Sequence, residues 1–289
     1  MDKPLIVGVD GSSASLQALD WAADEAAAQG VALHVVHASL WETYGGLHPS
    51  MGAGRPSLQV QADNIAASAV ERAMHRTVGV KATADVFTED AASALVRLSA
   101  EASAVVVGSR GRGELAGLLL GSVGLSVAAH AQSPVIVVRG AAKNVERSFH
   151  RLVVGIGEPE ESQKPLEFAL HEAELHGAPL TALHAWRRTA REVPDYPDHH
   201  GDSEAHRFAA EHLMDRLLFP AALAHPGIDL RGRLVEGHGH TVLLDAASTA
   251  DLLVVGARRR KGHVGMQLGP VNHAVLHHAP CPVAVVPHD

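Results

Sequence analysis

The sequence predicts an α/β protein built as two tandem, doubly wound domains, each holding a five-stranded parallel sheet of flavodoxin or Rossmann-like type. Three observations carry this. Short β-branched apolar runs alternate with longer segments of helical period. The runs are apolar at consecutive rather than alternate positions, as in strands buried on both faces. The second half also repeats the first: residues 8–38 align without a gap on 155–185 at an offset of 147, and later blocks align at 148. One residue of drift over that span marks tandem duplication of a unit of about 145 residues. Domains are expected at 1–140 and 150–289, joined by a linker at 139–150 (RGAAKNVERSFH), where the apolar pattern lapses.

In the first unit PLIVGVD reads as strand one. A helix is expected from about Ser13 to Gln29, with Leu16, Leu19 and Ala23 near helical spacing and Gly30 as its stop. VALHVVHA is strand two, and a Gly- and Pro-rich loop over 39–57 leads to a helix near 58–77. VKATADVF is strand three, followed by a helix at about 90–101, and AVVVGS is strand four. A loop and a helix from Gly121 precede strand five, PVIVV. The second unit repeats this order and ends in PVAVV. Strand order is open between 2-1-3-4-5 and 3-2-1-4-5, with 3-2-1-4-5 favoured. In that order the ligand crevice lies beyond the carboxyl ends of strands one and four, which end in Asp10 and Gly108.

Composition narrows the function classes. Of 289 residues 46% are hydrophobic and 19% charged, which fits two packed cores and argues against disorder. A net charge of −8 gives no reason to expect nucleic-acid binding or a membrane-surface patch. Residues 115–138 carry no Asp, Glu, Lys or Arg, but Gly117, Gly121, Gly124, Gln132 and Pro134 break the run, so a loop, helix and strand explain it better than a membrane span. The single cysteine and an N-terminus unlike a signal peptide suit a cytoplasmic protein.

The chemistry concentrates in GSRGRGELAGLLLGS at 108–122, of the form G-x2-G-x9-G-S. Gly108 and Gly111 are expected to let the backbone approach a ligand and turn with positive φ. Gly121 and Ser122 open a helix whose first N–H groups are unpaired, a natural phosphate site, with the Ser122 hydroxyl as a further donor. Arg110 and Arg112 are placed for distal phosphates, and Asp10 for hydrogen bonds from a ribose or amine. No GK[ST] follows, so this is not a Walker A loop, and the glycines have the wrong spacing and the wrong strand for G-x-G-x-x-G.

With GVDGS at 8–12, LHVVHA at 33–38 and GSRGRGELAGLLLGSV at 108–123 followed by SPVIVV, the chain resembles a tandem universal stress protein over nearly its whole length. In that family G-x2-G-x9-G-[ST] is the ATP-binding signature. The resemblance implies ATP, with or without Mg2+, as cofactor. It implies cofactor-binding positions at Gly8, Val9 and Asp10, with Asp10 at the ribose and adenine end. Backbone near Ala38 would border adenine, and Gly108, Gly111, Gly121, Ser122 and Val123 would hold ribose and phosphates. It further implies a role in stress response or dormancy exerted by binding rather than rapid turnover. The alternatives are a slow adenine-nucleotide hydrolase or transferase, against which stands the lack of an S-G-G-x-[DT]-S loop after strand one, and an interaction module independent of nucleotide.

The second copy departs at each discriminating point. Gly157 replaces Asp10, Arg259 replaces Gly111 and Pro270 replaces Ser122. A helix tolerates proline in its first turn, so the fold persists while donors are lost. The run RRRK at 258–261 reads as a solvated basic loop. One ATP site, in the first half, is therefore expected. PVIVV and PVAVV are expected at sheet edges, where the two domains would pair as an intrachain pseudo-dimer. A homodimer and an unidentified protein partner are further expectations. The 21 histidines include HH at 199–200, HGH at 238–240 and HH at 277–278, none in a recognised zinc spacing, so no metal site is expected. Cys281, just before the last strand, reads as a small packed residue.

Overall fold

A computed structural model describes residues 3–38, 40, 58–111, 120–187, 200–259 and 266–288. They fall into two compact units. The first runs to Arg139 and takes in the two-residue strand Met266–Gln267; the second comprises Gly140–Arg259 and the residues from Leu268 on.

The first unit contains β1 (Leu5–Gly8), α1 (Ser13–Gln29), β2 (Leu33–Ala38), α2 (Leu58–Arg76), β3 (Ala82–Phe87), α3 (Ala91–Leu98), β4 (Ala104–Gly108), α4 (Ser122–His130) and β5 (Val135–Val138). Its sheet order is β3-β2-β1-β4-β5, with every pairing parallel and Val7 in register with both Val35 and Val106. Continuous Val and Ile runs produce this arrangement, because both faces of each central strand are buried: Leu5, Ile6, Leu33 and Ile136 are at most 2% exposed. Each such side chain contributes about 1.5–3 kcal/mol on burial.

Helix α1 starts where Ser12 accepts the Ser15 N–H at 3.2 Å and stops at Gly30, which sits at φ 70° as only glycine does readily. Its buried face combines four alanines (Ala18, Ala22, Ala23, Ala26) with Ser15, Leu19, Trp21 and Glu25. Asp20 and Asp24 on its outer side hold α2. Arg72 donates twice to Asp20, both at 2.7 Å, Arg76 donates to Asp24 at 2.7 Å, and the Thr77 hydroxyl donates to Asp24 at 2.6 Å. These carboxylates hold the Arg72 and Arg76 guanidiniums above their ordinary pKa, chiefly through the hydrogen bonds.

The second unit repeats the plan. It contains α5 (Ala142–Val145), β6 (Leu152–Gly155), α6 (Pro159–His176), β7 (Leu180–Trp186), α7 (His200–Ala224), β8 (Leu230–Glu236), α8 (Gly239–Ala247), β9 (Leu252–Arg259), α9 (Pro270–His278) and, counting Met266–Gln267 as β10, β11 (Val283–His288). The order β8-β7-β6-β9-β11 is again 3-2-1-4-5 and again parallel. Cys281 is fully buried.

Three expectations change. The helix expected over 90–101 ends at Leu98 and continues as a single 3₁₀ turn, Ser99–Glu101. The 139–150 segment is no free linker. It forms α5, and the Asn144 amide donates to the carbonyl oxygens of Ala247, Ser248 and Ala250, the shortest contact being 2.7 Å. The Asp251 carboxylate then accepts the N–H groups of Phe149 and Arg151, both at 3.0 Å. Finally, strand four of the second unit runs on through Arg258 and Arg259, where a basic loop was expected. Most of the 39–57 loop and residues 260–261 of RRRK lie outside the described residues.

Candidate functional site

The candidate site sits beyond the carboxyl ends of β1 and β4. The chain leaves β1 at Gly8, Val9 and Asp10, turns at Gly11 with φ 79° and enters α1. Asp10 is fixed at both its ends: its N–H lies 3.3 Å from the Ser15 hydroxyl oxygen, and its Oδ1 accepts the Ser12 N–H at 2.9 Å. Oδ2 is turned toward the glycine motif, since a Cβ built on Gly111 would lie 2.8 Å from it. Asp10 and Gly111, 101 residues apart, therefore share one small volume, which a side chain at 111 would enter.

The other motif residues close around that point. The Gly121 N–H donates to Ser109 O at 2.9 Å, which brings the start of α4 beside Ser109, Arg110 and Gly111. No side chain caps α4 and no acidic residue lies in its first turn. The N–H groups of Ser122, Val123 and Gly124 thus open this end of the helix with the positive pole of its dipole. Ser122, Arg110 and Gly111 are exposed, while Gly108, Gly121 and Val123 are half-buried. Such an end accepts an oxyanion, and an adjacent carboxylate accepts hydroxyl donors; an arrangement offering both suits a phosphorylated sugar. Arg112 lies outside the described residues.

Two glycines behave otherwise than expected. Neither Gly108 nor Gly111 has a positive φ. Gly108 is glycine because α1 crosses β4 there: a Cβ would lie 2.6 Å from both the carbonyl carbon and oxygen of Ala14. That contact is backbone and cannot yield. Gly121, by contrast, has only ordinary contacts at 3.7–3.8 Å, so the fold itself does not require glycine there.

The β2 side of the crevice involves groups that motif reading passed over. The buried His37 Nδ1 donates to Val9 O at 2.8 Å and locks the end of β2, and with it Ala38, against the turn that carries Asp10. The second unit keeps the same bond, His184 Nδ1 to Ile156 O at 2.9 Å. It also keeps the serine support, with Gly157 N–H donating to Ser162 Oγ at 2.9 Å. The repeat alignment, which pairs His37 with His184 and Ser15 with Ser162, was the signal for both.

Beyond these scaffolding bonds the second unit diverges. Pairing of β9 with β11 continues through Val286–Gly256, Pro287–Ala257 and His288–Arg258, whereas in the first unit the corresponding pairing stops at Gly108–Val138. Asn272 stands where the first unit has Gly124, and its amide donates to Gly256 O at 2.9 Å. Arg258 pairs with Glu161 at 3.6 Å. Ala257 and Arg258 are thus drawn into the sheet, whereas their counterparts Ser109 and Arg110 lie beyond the end of β4. Of the histidine clusters, His238 and His240 have ring centroids 5.7 Å apart, and His238 Nδ1 accepts from Arg187 at 2.9 Å.

Comparison with known proteins agrees with this duplicated architecture. The family described as "Universal stress protein family" matches residues 1–139 and again 148–287. A universal stress protein of Mycolicibacterium smegmatis is 32% identical over 292 residues, covering 98% of this chain and 96% of its own. One from Mycobacterium tuberculosis is 31% identical over 305 residues, covering 99% and 96%. Among solved structures, a universal stress protein from Archaeoglobus fulgidus shares the fold with a TM-score of 0.71 and 19% identity, covering 99% of this chain and 98% of that one. Among the described residues no helix is long and apolar enough to cross a membrane. Two matches in tandem, near-complete alignment with curated relatives and the same strand order in each unit lead to one assignment: the chain belongs to the universal stress protein family and carries two of its domains.

Proposed function

We propose that this protein binds ATP at the β1–β4 crevice of the first unit and acts in stress response as a nucleotide-dependent regulator rather than through rapid turnover. The first unit is taken as residues 1–140 and the second, at 150–289, as nucleotide-free. The observation that carries the reading is the approach of Asp10 Oδ2 to Gly111 beside the uncapped start of α4. The carboxylate would accept ribose hydroxyls while Gly108–Gly111 backbone borders the sugar. The N–H groups of Ser122 and Val123, the Ser122 hydroxyl and Arg110 would take the phosphates. Gly8, Val9 and Ala38 would contribute backbone around the adenine. Any Mg2+ would arrive with the phosphates, outside the residues argued here.

Isothermal titration with ATP tests this. One site per chain is expected. Asp10→Ala should weaken binding about 10- to 100-fold, since a hydrogen bond to a charged group contributes about 1.5–3 kcal/mol. Two sites per chain, or unchanged affinity in Asp10→Ala, would overturn it. Mass spectrometry of small molecules released from the purified protein identifies any nucleotide carried along.

The second unit favours a different role. With Ala257 and Arg258 drawn into the sheet and Asn272 filling the space of Gly124, it suits a scaffold or partner-binding half.

A further inference from the structure

The second unit is rich in histidine, and the company each cluster keeps tells them apart. His238 and His240 lie at the start of α8, but Arg187 donates to His238 Nδ1 and sets a guanidinium beside them. A fixed positive charge in that place repels a metal cation. His277 and His278 are neighbours in sequence and stand about 100° apart around α9, their rings tilted by 48°. The pair that shares a face is His273 and His277. One helical turn separates them, so their side chains rise on the same side of α9, about 40° apart. Their rings are stacked, with 6.4 Å between centroids and 15° between planes. His273 is exposed and His277 half-buried, so the pair is open to solvent.

The surroundings suit a cation. Helix α9 carries no Lys or Arg, and neither does any other residue from 262 to 289. His277 sits in the last turn, where the negative pole of the helix dipole favours positive charge. The duplication shows that the fold has no need of the pair. At the repeat offset of 148, the matching positions on α4 are Leu125 and Ala129, and α4 forms without either imidazole. His278, by contrast, matches His130 and is common to both units. The two histidines peculiar to α9 are the two that face each other.

We propose that His273 and His277 chelate a divalent late first-row cation of the Zn2+ class, in an open site of two imidazoles completed by water. Neutral imidazole is a ligand suited to Zn2+, Cu2+ and Ni2+. Two nitrogens on one tetrahedral Zn2+ stand about 3.4 Å apart, given Zn–N distances of about 2.1 Å. Rotation of both side chains out of the stacked arrangement brings them to that spacing. One helical turn is also the separation at which two histidines on one face bind a single zinc ion. Among the described residues no third His, Cys, Asp or Glu stands close enough to join the pair. The site is therefore a modest clamp across the second half of α9 rather than a closed structural centre.

Isothermal titration of the full chain with Zn2+, after removal of metal by a chelator and without nucleotide, tests this. The tightest step should take up one Zn2+ per chain. His273→Gln and His277→Gln should each weaken that step at least about tenfold, since losing one arm removes the effective concentration that chelation supplies. The double variant should bind no more weakly than either single one, because one imidazole alone is no chelate. His278→Gln and His238→Gln should leave the step unchanged. Glutamine suits a helix, so the circular dichroism of each metal-free variant should match the parent. An unchanged tightest step in His273→Gln, or one lost instead in His278→Gln or His238→Gln, overturns the proposal, as does a chain that takes up no Zn2+. The titration contains no nucleotide, so its outcome is independent of ATP binding by the first unit.

Discussion

Asp10 and Gly111 are complementary as a pair: one carries a side chain so that the other cannot. In the second copy the relation is inverted, with Gly157 and Arg259 at the same two places. Once the carboxylate is gone, the steric demand for glycine goes with it, so the two losses belong together. The three motif glycines then separate by what they touch. Gly108→Ala forces a Cβ onto the Ala14 carbonyl at 2.6 Å, an overpacking that should cost about 1–3 kcal/mol or more. Thermal unfolding should show it as a lower Tm with or without ATP. Gly111→Ala meets only the Asp10 carboxylate, a side chain rather than backbone, so its stability without ligand should stay within about 0.5 kcal/mol of the parent while ATP affinity falls. If Gly111→Ala instead destabilised the apo-protein as much as Gly108→Ala, the assignment of Gly111 to the ligand would fail. From the motif alone these glycines look equivalent. Nothing in the local sequence says that α1 crosses β4, so the demand on Gly108 appears only in three dimensions.

At the scale of elements, the boundaries that the sequence marks chemically came out as read. Ser12 and Gly30 bracket α1, Gly121 precedes α4, and the Val-rich runs are the parallel strands. Burial on both faces writes such strands plainly. Strand order was open between two topologies, because neighbours in a parallel sheet are chosen by crossovers that leave no trace in a single strand's residues. The packing of the 139–150 segment left no trace in the apolar pattern for a related reason. It has no apolar period because its anchor is polar, with Asn144 on three carbonyl oxygens and Asp251 on two N–H groups. Replacing Asn144 by Leu leaves buried acceptors without their donor and should cost about 1–3 kcal/mol. Lys143, Arg147 and Arg151 lie in or beside this segment, so limited trypsin digestion should cut there faster in Asn144→Leu than in the parent. Equal cutting rates would show that the amide does not hold the segment down.

For the whole molecule, duplication produced two units of one strand order, but in the second the pairing of strand four runs two residues further, through Ala257 and Arg258, and this asymmetry predicts what a reversal experiment will do. If the second unit lacked only the right residues, then Gly157→Asp, Arg259→Gly and Pro270→Ser together would rebuild a nucleotide site. The structure argues that they will not. Gly256, Ala257 and Arg258 are paired to β11 up to His288, and the Asn272 amide holds Gly256 O at 2.9 Å, where the first unit has the bare Gly124. Releasing Ala257 and Arg258 means giving up ladder hydrogen bonds of about 0.5–1.5 kcal/mol each, and the three substitutions supply nothing in exchange. Titration of the triple variant with ATP should therefore still give one site per chain, and Asp10→Ala in that background should weaken it about 10- to 100-fold. Adding Asn272→Gly, which vacates the space beside Gly256, should be the first change to raise the stoichiometry above one. A triple variant that already binds two nucleotides would mean that the difference between the halves lies in single side chains and not in the pairing of strand four.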